Sequence, residues 1–189
     1  MRVIAGKARR TQLKTVEGLL TRPTTDRIKE TLFNMLQNQL YDSNFLDLFA
    51  GSGAIGIEAL SRGAKSAVFV ENNRFAINCI KSNLKACHME DQSQIMQMDC
   101  IEAIQKLNRM GTFFDFIFMD PPYGFEYEKR ILAELGNVSI LTEDTLIIVE
   151  ANLDTDFSYL NKYGFDLTKE KCYKTNKHIF VRKSIKNTL

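Results

Sequence analysis

The segment Asp120-Pro121-Pro122-Tyr123 sets an acid, a rigid corner and an aromatic ring side by side, directly after the apolar run Phe113-Phe114-Asp115-Phe116-Ile117-Phe118-Met119. So continuous a run suits a strand buried on both faces of a parallel sheet, and two prolines end it. In open α/β sheets the carboxyl ends of strands are where ligands bind. A prolyl-prolyl step fixes φ and carries no N–H, which leaves the Asp120 and Pro121 carbonyls able to accept from a ligand. A planar group bearing N–H donors fits such a corner. The exocyclic amine of a nucleobase is one: Asp120 and a corner carbonyl accept its hydrogens while Tyr123 stacks on the ring. Accepting both hydrogens favours a lone pair localised on nitrogen, and the amine becomes a nucleophile. The competing reading is a proline-terminated strand followed by an ordinary aromatic turn residue.

A second constellation lies upstream. Gly51-Ser52-Gly53-Ala54-Ile55-Gly56 follows an apolar strand, Phe45–Phe49, and opens a helix, with Glu71 twenty residues after Gly51. This is G-x-G-x-x-G in its expected context, where glycines admit close backbone approach and the acid binds ribose hydroxyls. The pattern alone fits a nicotinamide or flavin dinucleotide or S-adenosylmethionine. Asp47 separates them. A carboxylate beside the helix N-terminus would repel a pyrophosphate, but it suits a ligand with an ammonium group, a sulfonium centre and no phosphate. That ligand is S-adenosylmethionine; otherwise Asp47 is a structural acid capping the glycine turn. Asp99 ends the next strand, so Glu71 is expected at the ribose and Asp99 at the adenine amine. Glu150 ends a strand farther out and is assigned a supporting role.

These residues need strand ends to hold them. Strands are expected near Phe45–Phe49, Ala67–Glu71, Gln94–Met98, Phe114–Met119 and Thr145–Glu150, with helices between them. One helix spans Gly53 to Arg62, and others carry Ala76, Ile80 and Leu84; Ile101, Ile104 and Leu107; and Tyr127, Ile131 and Leu135. Gly63 and Gly136 read as helix C-caps. A short helix near Asp156–Tyr163 precedes two alternating runs, Phe165–Tyr173 and Lys177–Arg182, which read as a closing antiparallel hairpin. Upstream, Thr21-Arg22-Pro23-Thr24-Thr25-Asp26 starts a helix continued by Ile28, Leu32, Met35, Leu36 and Leu40. The fold class is therefore α/β in the doubly wound order 3-2-1-4-5, with helices on both faces of a mostly parallel sheet.

Length and composition suit this: 189 residues, 44% apolar and 25% charged, are enough for one domain with a substantial core. The domain is expected to run over 1–189, a basic N-terminal hairpin and helix extension over 1–40 preceding a core over 41–189. The hairpin would pair Arg2–Lys7 with Thr11–Lys14. Net charge is +2, yet residues 1–30 hold eight Lys/Arg against three Asp/Glu, and the remainder 17 against 20. A basic arm before a mildly acidic body points to a polyanionic partner met by the arm, with a solvated basic tail as the alternative. Cys79, Cys87, Cys100 and Cys172 form no C-x-x-C pair and His88 and His178 no zinc spacing, so no metal is expected. The start has no signal-peptide pattern and no apolar run approaches the roughly 20 residues of a membrane span, which places the protein in the cytoplasm.

With these residues assembled, the chain resembles the bacterial RsmD family of methyltransferases, which modify the exocyclic N2 of a guanine in small-subunit ribosomal RNA. The resemblance runs through Thr21-Arg22-Pro23-Thr24-Thr25-Asp26-Arg27, Phe45 to Ala54, Glu58-Ala59-Leu60-Ser61-Arg62-Gly63-Ala64, Glu71 and Asp120-Pro121-Pro122-Tyr123, across roughly residues 1–183. It implies a Rossmann-like S-adenosylmethionine-dependent fold and 16S ribosomal RNA as partner, within a small-subunit particle or assembly intermediate. It also implies a catalytic corner of Asp120, Pro121, Pro122 and Tyr123, and a cofactor set of Asp47, Gly51, Gly53, Glu71 and Asp99. Arg2, Lys7, Arg9, Arg10, Lys14 and Arg22 are the expected RNA contacts. One departure stands out: the family's R-G-R-like turn is Arg9-Arg10-Thr11 here, which puts the turn geometry in question. A DNA adenine-N6 methyltransferase would use the same corner and cofactor, although this compact chain has little room for a target-recognition region. A non-catalytic RNA-binding protein on the same fold is the reading from another class.

Overall fold

The computed structural model describes residues 1–16, 26–122 and 124–184. The chain divides into two compact units, Met1–Asp99 and Cys100–Leu189. The first contains α1 (Asp26–Leu36), β1 (Asn44–Leu48), α2 (Ala54–Ser61), β2 (Ser66–Glu71), α3 (Arg74–Cys87) and β3 (Ser93–Gln97). Its strands are parallel in the order β3-β2-β1. Phe45, Leu46, Asp47 and Leu48 are all buried, the unbroken pattern of a strand covered on both faces. α1 buries Lys29, Leu32, Phe33 and Leu36. It ends there, short of the expected Leu40, which is nevertheless fully buried beyond the helix. α3 starts where the Asn73 side chain accepts from the Phe75 and Ala76 N–H groups, satisfying two of the donors a helix N-terminus leaves open.

The basic arm is a docked hairpin. Arg2 and Gln12 form an antiparallel bridge, and Val3 N–H donates to Thr11 O at 3.0 Å while Arg10 N–H donates to Val3 O at 2.9 Å. Val3, Ala8 and Leu13 point inward, exposed by only 1, 8 and 5%. Ile4 and Ala5 N–H groups donate to the two carboxylate oxygens of Glu58 on α2, at 2.8 and 3.1 Å. Ala8 N–H donates to Ser61 Oγ at 3.0 Å, and Lys14 N–H donates to Asn83 Oδ1 on α3 at 2.8 Å. Glu58 is itself buried between Lys29 Nζ at 3.4 Å and Arg62 Nε at 2.8 Å. Burial pushes the Lys29 ammonium down in pKa, and the Glu58 carboxylate opposes that shift. A charge so buried needs its partners, so the hairpin's N–H groups are part of what keeps Glu58 tolerable.

The second unit holds α4 (Cys100–Arg109), β4 (Phe114–Met119), α5 (Tyr127–Gly136), β5 (Leu141–Asn152), β6 (Phe165–Cys172) and β7 (Asn176–Lys183). The order is β4-β5-β7-β6, with β4 and β5 parallel and both β7 pairings antiparallel. The seven strands thus form the expected mostly parallel arrangement with a closing antiparallel hairpin. Three details differ from expectation. The Asp156–Tyr163 helix shrinks to a 3₁₀ turn over Leu160–Tyr163, because Asp156 instead closes a local turn by accepting from Ser158 N–H and Oγ, at 2.9 and 2.6 Å. β5 is longer than expected, with Thr145 Oγ1 donating to Phe114 O at 2.6 Å where the β4 register shifts. Gly136 is the last residue of α5, with no positive φ; an added Cβ would lie 2.5 Å from Tyr163 O, so close approach explains the glycine. No helix among the described residues is long and apolar enough to cross a membrane.

Candidate functional site

In the first unit the loop between β1 and α2 turns through three left-handed residues: Phe49 (φ 61°), Gly51 (φ 55°) and Gly53 (φ 77°). Glycine occupies the last two without penalty. Phe49 does not, and a bulky residue there costs about 1–2 kcal/mol, strain of the kind that concentrates at functional loops. The loop is pinned by Ala50 N–H donating to Val70 O at 3.0 Å and Gly53 N–H to Ala50 O at 2.7 Å. Beside Gly51 there is open space: an added Cβ would meet nothing nearer than the Phe49 carbonyl oxygen at 4.0 Å. Gly56 is packed on the other side, where a Cβ would lie 2.4 Å from the Phe69 ring.

Two acids hold this loop. Glu71 Oε2 accepts from Gly51 N–H at 2.9 Å, and Oε1 accepts from Asn72 and Asn73 N–H at 2.9 and 2.8 Å. A carboxylate has about four lone-pair sites. Glu71 therefore has one such site left over, on Oε2. Asp47 Oδ2 accepts from Gly56 N–H at 2.9 Å, in the first turn of α2, whose own N-cap Gly53 has no side chain to offer. Burial at 1% exposure pushes the Asp47 carboxyl up to about 7, against the Gly56 hydrogen bond and with help from the nearby Glu71 charge. Asp47, Gly51, Gly53 and Glu71 thus meet around one loop, with Asp47 behind it and Glu71 at its rim. Asp99 is exposed and stands two residues past the end of β3, immediately before α4.

Arg2, Lys7, Arg9, Arg10 and Lys14 are all exposed on the arm. Arg2 pairs with Asp26 at 3.5 Å, and Lys7 Nζ donates to Gln92 Oε1. Arg10 has φ 73°, so the Arg9-Arg10-Thr11 turn holds an arginine in the left-handed region. Arg22 and the rest of Thr21–Thr25 lie outside the described residues.

In the second unit β4 delivers Asp120 and the two prolines at its carboxyl end, with Pro121 buried and Pro122 exposed. Tyr123 lies outside the described residues. Glu150 sits inside β5 and is 4% exposed. It accepts from Asn176 Nδ2 at 2.5 Å and pairs with His178 Nε2 at 3.1 Å, while His178 Nδ1 meets the Tyr173 hydroxyl at 3.1 Å. Sequence reasoning gave Glu150 a supporting role but missed His178 and Tyr173. Their signal was present, since both fall in the closing hairpin. It also missed Asn83, which ties the end of the arm to the glycine loop through Lys14 O at 3.0 Å and Ser52 O at 2.9 Å. Among the described residues no group of three or more His, Cys, Asp or Glu is placed to hold a metal.

Residues 1–182 match the family described as conserved hypothetical protein 95. The chain belongs to that family. It is 35% identical to ribosomal RNA small subunit methyltransferase D of Haemophilus influenzae over 90% of this chain and 88% of that one. The solved yhhF protein of Escherichia coli is 30% identical, with a TM-score of 0.85 over 97% of this chain and 98% of that one. SMU.776, solved in complex with S-adenosylhomocysteine, shares the fold at 17% identity, with a TM-score of 0.66 over 82% of this chain and 49% of that one. The family's fold is the Rossmann-like one of S-adenosylmethionine-dependent methyltransferases.

Proposed function

We infer that this chain is an S-adenosylmethionine-dependent ribosomal RNA methyltransferase, and that its acceptor is the exocyclic N2 of a guanine in the small-subunit RNA. Family membership and the Haemophilus influenzae relative support the coarser activity. The observation that carries the finer reading is the acid-proline-proline corner at the end of β4. The glycine loop fits the methyl donor: open space at Gly51, a free acceptor site on Glu71 for a ribose hydroxyl, and the Asp47 carboxyl behind the loop rather than a bed for phosphates. S-adenosylmethionine, when bound, supplies an electrophilic methyl group on a sulfonium.

Asp120 and a corner carbonyl accept the amine's two hydrogens and hold its lone pair toward that methyl. As the N–C bond forms, the S–C pair stays on sulfur and Asp120 takes the proton the amine loses. The chain contributes orientation, for which about 7–11 kcal/mol is available in principle. No side-chain nucleophile is needed. The guanine must leave any stack to reach a strand end, and Tyr123 is proposed to stack on it. Asp99 is assigned to the adenine amine, Arg22 and the arm to RNA phosphates, and the work to a single methyltransferase domain in the cytoplasm.

The test is transfer from labelled S-adenosylmethionine to small-subunit particles, and separately to naked RNA, from cells lacking this enzyme, followed by nucleoside analysis. N2-methylguanosine is expected. N6-methyladenosine would replace the reading by the adenine alternative, and RNA binding without transfer would favour the non-catalytic one. Asp120→Ala should bind the cofactor normally and lose most turnover.

A further inference from the structure

Asparagine is a poor helix former, because its amide competes for backbone hydrogen bonds, and burying that amide is costly unless it is satisfied. Asn83 nevertheless sits inside α3 and is only 1% exposed. Its amide is used at both ends. Oδ1 accepts from Lys14 N–H at 2.8 Å, while Nδ2 donates to Lys14 O at 3.0 Å and to Ser52 O at 2.9 Å. Cys79 Sγ, one helical turn earlier, also donates to Lys14 O, at 3.2 Å.

The two ends of this bridge are the cofactor loop and the arm. Ser52 stands between Gly51 and Gly53, both left-handed. Glycine leaves the peptide planes on either side freer to turn, so the Ser52 carbonyl needs an outside partner to keep one direction. Asn83 supplies it. Glu71 and Val70 hold the Gly51 and Ala50 N–H groups from β2, whereas the Asn83 contact continues to the arm. There the hairpin body is bolted to α2 through Ile4, Ala5, Lys7 and Ala8. Its last residues meet α3 instead, at Lys14. The Lys14 side chain is exposed, so this backbone seat decides where its ammonium stands.

We propose that Asn83 is a positioning residue that couples the cofactor loop to the RNA-binding arm. This rests on the reading that the loop takes S-adenosylmethionine and that the arm meets RNA phosphates. With the methyl donor holding the loop, Ser52 O holds the Asn83 amide, and the amide holds Lys14 on α3 with its ammonium toward a phosphate. In the empty enzyme the end of the arm moves between seated and lifted arrangements, and each ligand favours the seated one. A ligand that stills one end of the bridge lowers the entropy lost when the other end is engaged. The effect is reciprocal: the factor that the cofactor adds to RNA affinity is the factor that RNA adds to cofactor affinity.

The test uses the full chain, S-adenosylhomocysteine at the loop and oligouridylate as the RNA probe, which offers phosphates but no guanine to the corner. Oligouridylate affinity is measured at one salt concentration with and without saturating S-adenosylhomocysteine, for wild type, Asn83→Leu and Cys79→Ala, and calorimetry reports S-adenosylhomocysteine binding. In wild type, S-adenosylhomocysteine should tighten RNA binding about fivefold or more. It should also slow hydrogen exchange at the Lys14 amide before any RNA is added. Asn83→Leu should bring the factor close to one. Cys79→Ala removes a contact to Lys14 O but leaves the link to Ser52, and should keep the factor. Equal RNA affinities in wild type with and without bound S-adenosylhomocysteine overturn the coupling, and so does a factor retained in folded Asn83→Leu. A factor lost as fully in Cys79→Ala overturns the bridge, since any loosening of the seat would then suffice. If Asn83→Leu does not fold, a Lys14 exchange rate unmoved by S-adenosylhomocysteine overturns it instead. Failure of S-adenosylhomocysteine to bind wild type would remove the methyl-donor reading and this coupling with it, whereas binding without linkage sinks the coupling alone.

Discussion

Gly6 lies against Ser61 so closely that a Cβ on it would stand 1.7 Å from the Ser61 carbonyl oxygen. Lys7 N–H donates to the same oxygen at 2.8 Å, so the contact is where the arm is bolted to α2. Gly6 also has φ 83°. Gly6→Ala should therefore cost about 2 kcal/mol or more, strain and displacement together. Gly111→Ala, at φ 66° with nothing within 4 Å, should cost only about 1 kcal/mol of strain. Urea denaturation of both variants checks this, and equal midpoints would mean that the arm shifts freely on the helix.

Asp47 makes stability depend on pH. The folded protein holds the proton on this carboxyl up to about 7, whereas a free aspartate holds it only up to 3.8. Between those values the folded state binds more protons than the unfolded one, and stability falls as pH rises. Asp47→Asn keeps an acceptor for Gly56 N–H and removes the ionisation. It should be more stable than wild type at pH 8 by about 2–4 kcal/mol, the advantage fading toward pH 4. If the charge also serves the cofactor's ammonium, the same variant should bind S-adenosylmethionine more weakly at pH 8. Denaturation and calorimetry on one preparation separate the two roles.

Glu71 is committed both to the loop and, as proposed, to a ribose hydroxyl. Glu71→Ala should weaken cofactor binding by about 1.5–3 kcal/mol, the worth of hydrogen bonds to a charged group. Glu71→Gln retains a carbonyl oxygen for the backbone N–H groups and should lose less. Titration calorimetry decides it: equal affinities in wild type and Glu71→Ala would take Glu71 out of the site.

The arm's charge is open to a salt series. Lys7, Arg9 and Arg10 replaced by Gln should flatten the slope of log affinity against log salt by about 2–3 if all three meet phosphates, since each contact contributes roughly 0.7–0.9. Unchanged slopes would move the search to Arg22, Arg27 and the loop after β4. Arg10→Gly restores a residue at ease at positive φ and should stabilise the fold by about 1 kcal/mol while costing one phosphate contact.

The order of elements was legible because strands covered on both faces are unbroken apolar runs; β4 falls on Phe114–Met119, as read from the sequence. The glycine loop was legible for a similar reason, being a local pattern in a local context. What the sequence hides is long-range. Lys29 reads as a solvent-facing helix position, yet it is fully buried because Glu58 lies across from it. His178 reads as an isolated histidine in an edge hairpin, yet β5 brings a glutamate to it from 28 residues away. Gly136 shows the other limit: one residue type serves both left-handed turns and close contacts, and only the neighbour, here the Tyr163 carbonyl, tells which.

The docked arm also fixes a sequence of events in time. Its partners on α2 and α3 lie 54 residues downstream for Ile4 and 69 for Lys14. At about 5–20 residues per second of synthesis, the hairpin is made roughly 3–14 seconds before the helices that seat it. During that interval Val3, Ala8 and Leu13 have nowhere to pack. The part of the chain proposed to meet RNA is made before its own supports, and it becomes a binding surface only when the cofactor loop's helix has formed beneath it.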